Sequence, residues 1–287
     1  IAPYSLGPVF QGVYEQLYQE VAAGAPAPGK GWAYPALFAL PGGERWLLVT
    51  EADLDASYNG TRLHETPTGG RYRVRFPDES EGYGKGPTRP TAALPLTTPW
   101  RVVIAGSLSD VVQSTLVDDL SRESTLAGET GWIAPGRAAW SWLTQNTGTP
   151  QLQRSYVDYA AGMGWEYVLV DANWDDWPGG DATVKDLVTY AAGKGVRILL
   201  WYNSGGDHTV VGESPRDRMD QAATRRAEMS KIAGWGVAGI KVDFFESDKQ
   251  DRIAQFIGIL RDAADHRLLV NFHGCTLPRG WQRTYPH

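Results

Sequence analysis

The rhythm of apolar positions changes near residue 138. Before it, short apolar runs sit between turn residues: Trp46 to Val49 inside GERWLLVTEADL, and Val102 to Ala105 after the proline-punctuated TRPTAALPLTTPW. GGRYRVRFPD alternates, with Tyr72, Val74 and Phe76 on one side and Arg71, Arg73 and Arg75 on the other. That period of two predicts a half-exposed strand. Proline and glycine recur between these runs, as between the strands of a β-sandwich. EGYGKGPTRP (81–90) reads as a loop. SLSDVVQSTLVDDLSRES has helical potential, and WIAPGRA turns the chain into its second half.

From Ala138 onward, strand and helix patterns alternate. AAWSWL, YVLVDANW, VRILLWYN, GIKVDFF and LLVNFHG are β runs. Between them lie four helical segments: PQLQRSYVDYAAGMG, DATVKDLVTYAAGKG, SPRDRMDQAATRRAEMSKIAGWG (with a Ser-Pro start signal) and DKQDRIAQFIGILRDAADH. Such alternation predicts a parallel sheet with covering helices. The runs are nearly continuous in apolar character, as when both faces of a sheet are buried. No GxGxxG or Walker A pattern follows any of them, so nucleotide-binding α/β folds lose support. A (β/α) barrel then puts its working residues at the C-terminal strand ends. Asp171, Asn203, Asp243, Asn271 and His273 all fall there.

About five such units fit between Ala138 and His287, whereas a full barrel takes roughly 250 residues. An open half would leave apolar sheet edges, an aggregation hazard. The expected fold class is therefore α/β plus all-β. A partial N-terminal β-sandwich (1–106) and a helical linker (107–136) precede the first part of an incomplete (β/α)8 TIM barrel (137–287).

Composition narrows the function classes. The net charge is −6 with no basic stripe, which argues against nucleic acid as a partner. No apolar stretch approaches the roughly 18 residues of a membrane span, so no membrane insertion is expected. The single cysteine, Cys275, excludes an internal disulfide framework. IAPYSLGPVF lacks the features of a signal peptide, and the chain begins at isoleucine, as a processed or truncated one would. Twelve tryptophans and thirteen tyrosines fit either sugar-stacking surfaces or large cores.

Within GIKVDFF, side-chain alternation puts Lys241, Asp243 and Phe245 on one face. A neighbouring ammonium lowers a carboxyl pKa and keeps it ionised, the state a nucleophile needs. A structural Lys–Asp pair is the other reading. The five histidines are scattered, without HxH or HExxH, so a catalytic zinc is not expected. No GxSxG elbow anchors a serine triad. Carboxylates at strand ends among many aromatics point instead to glycoside hydrolysis by paired carboxylates.

WIAPGRAAWSWL, MGWEYVLVDANW, GVAGIKVDFF and LLVNFHGCTLPRGWQRTYPH, in this order and with VTEADL in the first half, resemble glycoside hydrolase family 97. The resemblance implies an N-terminal sandwich, a catalytic (β/α)8 barrel and a small C-terminal β domain. It also separates two mechanistic branches. The inverting branch has a base glutamate after NxH and lacks the aspartate of KVDF. The retaining branch has that aspartate and a glycine instead. Asp243 and Gly274 match the retaining pattern. The implied activity is double-displacement hydrolysis of terminal α-galactosides, with Asp243 as catalytic nucleophile. An α-glucosidase, a non-catalytic carbohydrate-binding protein and a metal-dependent barrel hydrolase are the alternatives.

The family's acid/base glutamate follows the RTYP segment and is expected beyond His287, with neither Glu213 nor Glu246 a good replacement; this chain by itself is then expected to be inactive or nearly so. Asp171, Trp174, Trp142, Lys241 and His273 are the implied substrate-binding residues, each equally readable as barrel packing. Glu51 matches a calcium-binding glutamate, making Ca2+ the implied cofactor, and a solvated rim glutamate is the alternative reading. Arg279 departs from the family pattern, which has a small residue there. An oligosaccharide or glycoside is the implied partner, and a periplasmic or secreted location the implied address.

Overall fold

The computed structural model describes residues 4–5, 20–27, 29–124, 126, 128 and 130–287. The chain divides into two compact units, each built from more than one segment. The first comprises 1–125, 245–257 and 274–286; the second comprises 126–244, 258–273 and His287. Two segments that a linear reading assigns to the barrel, 245–257 and 274–286, thus group with the N-terminal half.

The first unit carries two antiparallel sheets. One joins Ala36–Ala39, Trp46–Ala52 and Trp100–Gly106, with the Trp46–Ala52 strand in the centre. The other is made of two-residue strands, Tyr4–Ser5, Trp32–Ala33, Arg62–Leu63 and Val74–Arg75. Trp32 and Leu63 from the second sheet and Ala36 and Phe38 from the first meet, with Tyr34, in one buried apolar cluster. The strand expected across RYRVRF shrinks to Val74–Arg75, and Val74 is 43% exposed. Local pairing explains the difference. Arg75 is tied to Glu65 and Asp78, and the Arg89 guanidinium sits 5.1 Å from the Phe76 ring centroid. The ladder covers two residues, Val74 and Arg75 opposite Leu63 and Arg62, and these side-chain contacts flank it. The 81–90 loop opens with a 3-10 turn, Glu81–Gly84, whose Glu81 is fully buried.

The second unit holds five parallel strands: β1 (Ala138–Trp140), β2 (Tyr167–Val170), β3 (Arg197–Asn203), β4 (Gly239–Asp243) and β5 (Leu269–Phe272). They lie side by side in chain order. A doubly wound sheet reverses its strand order at a switch point; this one does not. Helices α1 (Pro150–Met163), α2 (Asp181–Gly193), α3 (Ala222–Trp235) and α4 (Gln250–Asp265) follow the first four strands. α1 starts where Thr149 accepts from the Leu152 N–H and Pro150 fills the first turn; it ends at Gly164 in the left-handed region. Leu187, Val188 and Ala191 give α2 its buried face. All five residues of β4 are buried, as its apolar run predicts. Gly239 is required there, because a Cβ would come within 2.5 Å of the Leu269 carbonyl oxygen on β5.

The Ser-Pro start expected for α3 is not where that helix begins. It starts at Ala222, and 211–215 is an ordered loop instead. The Asn203 amide donates to the Val211 and Glu213 carbonyls, and the Asn173 side chain accepts from the Ser214 N–H. These bonds satisfy the backbone without a helix. Once α3 has begun, buried Arg225 binds Asp262 of α4 at 2.6 Å, with Arg226 on the other carboxylate oxygen at 2.8 Å. Among the described residues no helix is long and apolar enough to cross a membrane.

Candidate active site

Parallel register brings the strand ends together. Trp201 of β3 pairs with Lys241 of β4, Asn203 with Asp243, and Lys241 with Asn271 of β5. Of these, Trp201, Lys241 and Asp243, with loops at the same end of the sheet, line a cavity of about 210 Å³. Its walls include Trp140, Trp142, Asp171, Trp201, Lys241, Asp243 and His273. Glu213 and Phe244 complete it on the loops after β3 and β4. A larger cavity of about 550 Å³ lies in the first unit, but its walls are apolar apart from Arg101 and tyrosine hydroxyls. Another in the first unit, about 530 Å³, is lined by Arg75, Asp78, Glu79 and Arg89 among others; the strand-end cavity differs in having buried carboxylates, Asp171 and Asp243, in its wall.

Asp243 is 3% exposed, and both its oxygens are held. Oδ1 accepts from the Phe244 N–H at 2.8 Å. Oδ2 lies 2.8 Å from His273 Nδ1, accepts from the Trp201 indole at 3.2 Å and is 3.7 Å from the Lys241 ammonium. Burial is the strongest single influence on this carboxyl and pushes its pKa up. The His273 bond, the His273 and Lys241 charges and the Trp201 N–H together outweigh burial, and the pKa ends below its ordinary value. Asp243 is thus an ionised carboxylate at neutral pH. The backbone turns sharply just beyond it, with Phe244 at φ +67°, a costly conformation for a bulky residue. Ser204 holds that turn, donating from its N–H to the Asp243 carbonyl and from its hydroxyl to the Phe244 carbonyl, each at 2.9 Å.

Lys241 is buried and shared. Its ammonium is 3.0 Å from Asp171 Oδ2 and 4.6 Å from the Trp140 ring centroid. Asp171 also accepts from the Trp140 indole at 2.7 Å and from the Ala172 N–H at 2.9 Å. One cation therefore balances two carboxylates through a bridge that also fixes their orientation. His273 differs from its neighbours because its side chain is 49% exposed, so it can reach a solvent-borne ligand. Trp142 is half-buried at the wall.

Five residues singled out in the sequence therefore share one cavity: Trp142, Asp171, Lys241, Asp243 and His273. Trp174 does not join them. It is 1% exposed, donates its indole N–H to the Trp201 carbonyl at 2.8 Å and meets the Tyr202 ring edge-on at 5.7 Å. It packs beneath the strand ends and offers no face to a sugar. Sequence reasoning missed Trp140, Trp201 and Phe244 as wall residues and rejected Glu213 as a loop residue. Trp140 and Trp201 had a readable sign, since each lies in a β run near its C-terminal end.

Glu51 belongs to the first unit and is fully buried. Its Oε2 accepts from Arg279 Nε at 2.7 Å and the Thr61 N–H at 3.0 Å. Its Oε1 is 2.7 Å from an Arg101 nitrogen and also accepts from the Thr61 hydroxyl. Arg279 lies 3.6 Å from Asp248, which approaches Arg62 at 3.9 Å, and Arg62 donates to Glu81. Three guanidiniums thus face three carboxylates. Calcium takes six to eight oxygen ligands and favours sites with surplus negative charge. Here every Glu51 oxygen is already claimed and the local charge is balanced, so these residues do not fit Ca2+. Glu51 lies in a buried Glu–Arg network. Arg279, the departure from the family pattern, supplies its central cation. Among the described residues no group of three His, Cys, Asp or Glu side chains could hold a metal.

A buried, ionised carboxylate beside a lysine, an exposed histidine and aromatic walls, at the C-terminal end of a sequentially wound parallel sheet, makes this cavity the candidate active site. Residues 132–287 match the model for "Glycoside hydrolase 97" and residues 4–122 that for "Glycosyl-hydrolase 97 N-terminal". The chain belongs to glycoside hydrolase family 97. A Streptomyces bingchenggensis protein described as "Probable retaining alpha-galactosidase" is 39% identical, over 95% of this chain and 41% of the relative. The retaining alpha-galactosidase of Bacteroides thetaiotaomicron is 30% identical, over 67% of this chain and 30% of the relative. A crystal structure of a beta-arabinopyranosidase superposes with a TM-score of 0.91 at 38% identity, covering 100% of this chain and 46% of that one. The chain thus spans less than half the length of each.

Proposed function

We propose that the full-length protein is a retaining glycoside hydrolase acting on terminal α-galactosides, with Asp243 as nucleophile. The observation that carries this reading is Asp243 itself: buried, ionised and fixed by His273, Trp201 and the Phe244 N–H at a cavity wall. The names of two relatives support it. In the first step an Asp243 oxygen attacks the anomeric carbon as the bond to the leaving oxygen breaks, giving a β-linked glycosyl-enzyme. In the second step water attacks the same carbon and releases the sugar with its α configuration restored. Gly274 stands where an inverting enzyme of the family needs its base, and glycine has no carboxylate to activate water.

Lys241 keeps Asp243 charged before attack, and Asp171 holds Lys241 in place. His273 orients the attacking carboxylate and, being half exposed, also reaches a sugar hydroxyl. Trp142 offers an apolar face to the ring. The five strands form part of a (β/α)8 barrel and the first unit part of a β-sandwich. No calcium step belongs to this mechanism.

A second reading has specific support. The 38% identical solved structure is that of a beta-arabinopyranosidase. A β-L-arabinopyranoside has the ring stereochemistry of an α-D-galactopyranoside, with hydrogen in place of the hydroxymethyl group. The same nucleophile in the same position would open either. Turnover of 4-nitrophenyl α-D-galactoside, β-L-arabinopyranoside and α-D-glucoside by the full-length protein decides among the substrates. An Asp243→Ala variant that keeps the wild-type rate on the preferred substrate refutes the nucleophile assignment. Absence of turnover of all three by the full-length wild type would leave the carbohydrate-binding reading in its place.

A further inference from the structure

We infer that Glu213 is a substrate-binding residue that accepts a hydrogen bond from a ring hydroxyl of the bound sugar. This rests on the glycosidase reading and deepens it. Among the carboxylates lining the cavity, Glu213 differs in one respect. Asp171 is claimed by Lys241, the Trp140 indole and the Ala172 N–H. Asp243 is claimed by His273, Trp201 and the Phe244 N–H. The half-buried Glu213 side chain has no hydrogen bond or ion pair among the described residues. A cavity wall with one unclaimed acceptor is set up for a donor brought by the ligand, and sugar hydroxyls are such donors.

The backbone around it is built to hold that acceptor still. Asn203, at the end of β3, donates its side-chain amide to the Val211 carbonyl at 3.0 Å and to the Glu213 carbonyl at 3.2 Å. Its N–H donates to the Pro215 carbonyl at 3.0 Å. From the loop after β2, the Asn173 N–H donates to the Ser214 carbonyl at 2.6 Å, and the Asn173 side chain accepts from the Ser214 N–H at 2.9 Å. Arg216 closes the loop from the far side, donating to the Val211 carbonyl at 2.6 Å and to the Thr209 carbonyl at 3.0 Å. Two asparagines, one ending β3 and one in the loop after β2, thus pin the segment on either side of Glu213. The ordering cost is met before the ligand arrives, which is how a preorganised site gains affinity. Asn203, a strand-end residue with the look of a ligand contact, acts through this loop instead.

Glu213 does not serve as the leaving-group acid in this account. Its task is selection, because a carboxylate built to receive a hydroxyl is left unpaired by a sugar that lacks it. Calorimetric titration of the full-length protein with D-galactose, L-arabinose and the 2-, 3-, 4- and 6-deoxygalactoses tests this, comparing wild type with Glu213→Gln and Glu213→Ala. Glu213→Ala is expected to weaken galactose binding about 10- to 150-fold, the span of a hydrogen bond to a charged group. One deoxygalactose is expected to bind wild type and Glu213→Ala equally, which names the hydroxyl. Three results overturn the inference: unchanged galactose affinity in both variants, equal losses for every deoxy sugar, or no binding of either parent sugar to wild type. Hydrolysis by Asp243→Ala is measured alongside. Persistence there defeats the nucleophile assignment without touching the binding result, so the two failures are distinguishable.

Discussion

Two clusters of buried charge, one in each unit, use the same residue types to opposite ends. In the first unit Glu51, Arg279, Asp248, Arg62 and Glu81 alternate in sign, with Arg101 on the remaining Glu51 oxygen. Every Glu51 oxygen is answered by a guanidinium or by Thr61, and the Glu51, Arg62 and Glu81 side chains are fully buried. In the second unit a single lysine serves Asp171 and Asp243, the histidine on Asp243 is half exposed, and the Glu213 side chain lacks a partner among the described residues. A closed, charge-balanced network holds structure. A network with less cation than carboxylate, opening on a cavity, has binding capacity left for a ligand. Burial alone does not separate the two, since Glu51 and Asp243 are both nearly inaccessible. The difference lies in what remains unsatisfied and whether it faces a cavity.

The comparison breaks most readily at Asp243. Asp243→Asn in the full-length protein should lower kcat/KM by roughly 10⁴-fold, as removal of a central catalytic group does. If the midpoint falls and activity persists, Asp243 belongs with the structural cluster.

The complementary change is Arg279→Ala. Removing the central guanidinium leaves Glu51 and Asp248 buried with fewer partners, and about 3–5 kcal/mol of stability should be lost in denaturant titration. A chain that tolerates the change would show that the network contributes little.

His273 gives a subtler result. Asp243 has a folded-state pKa below its ordinary value, so its charge, and the stability drawn from it, is complete above the unfolded value. Both are lost as pH falls through the lower folded value. The acidic limb of kcat/KM therefore lies below the ordinary aspartate range. Replacing His273 by glutamine removes the foremost lowering influence, and the limb should move to higher pH. An unmoved limb would assign it to another group.

Trp174→Phe should cost about 1–3 kcal/mol of stability, because the buried Trp201 carbonyl loses its donor, while KM stays constant. A raised KM would return Trp174 to the substrate wall. The smallest expected effect is that of calcium. Neither added Ca2+ nor a chelator should move the unfolding midpoint of the wild-type chain, since a ligand stabilises a fold only by binding it. A midpoint that rises with calcium concentration would contradict the Glu51–Arg279 account.

These two clusters also mark what could be read from the chain. β4 and its neighbours were legible because a buried parallel strand writes itself as a continuous apolar run, and Lys241 and Asp243 interrupt that run two residues apart. Strand ends then carried Asp171 and His273 to the same mouth. The Glu51 network was not legible. Glu51 and Arg279 are far apart in sequence, and no local period encodes their pairing. Arg279 stood out as an unusual residue, but its partner came from the fold. Trp174 stayed open between substrate contact and barrel packing because a tryptophan beside a strand end has the same pattern whether it faces ligand or core. Glu213 was passed over because loop conformation depends on bonds from Asn173 and Asn203, which local spacing does not report. RYRVRF alternates, yet only Val74 and Arg75 find a partner strand, the two-residue Arg62–Leu63, and period alone does not report how long the partner is.

The central claim is double displacement through Asp243, and the anomeric configuration of the first-formed product tests it directly. Proton NMR during hydrolysis of an α-galactoside by the full-length protein should show α-galactose first, with the β anomer rising later at the rate of mutarotation. β-Galactose as the initial product would contradict the account.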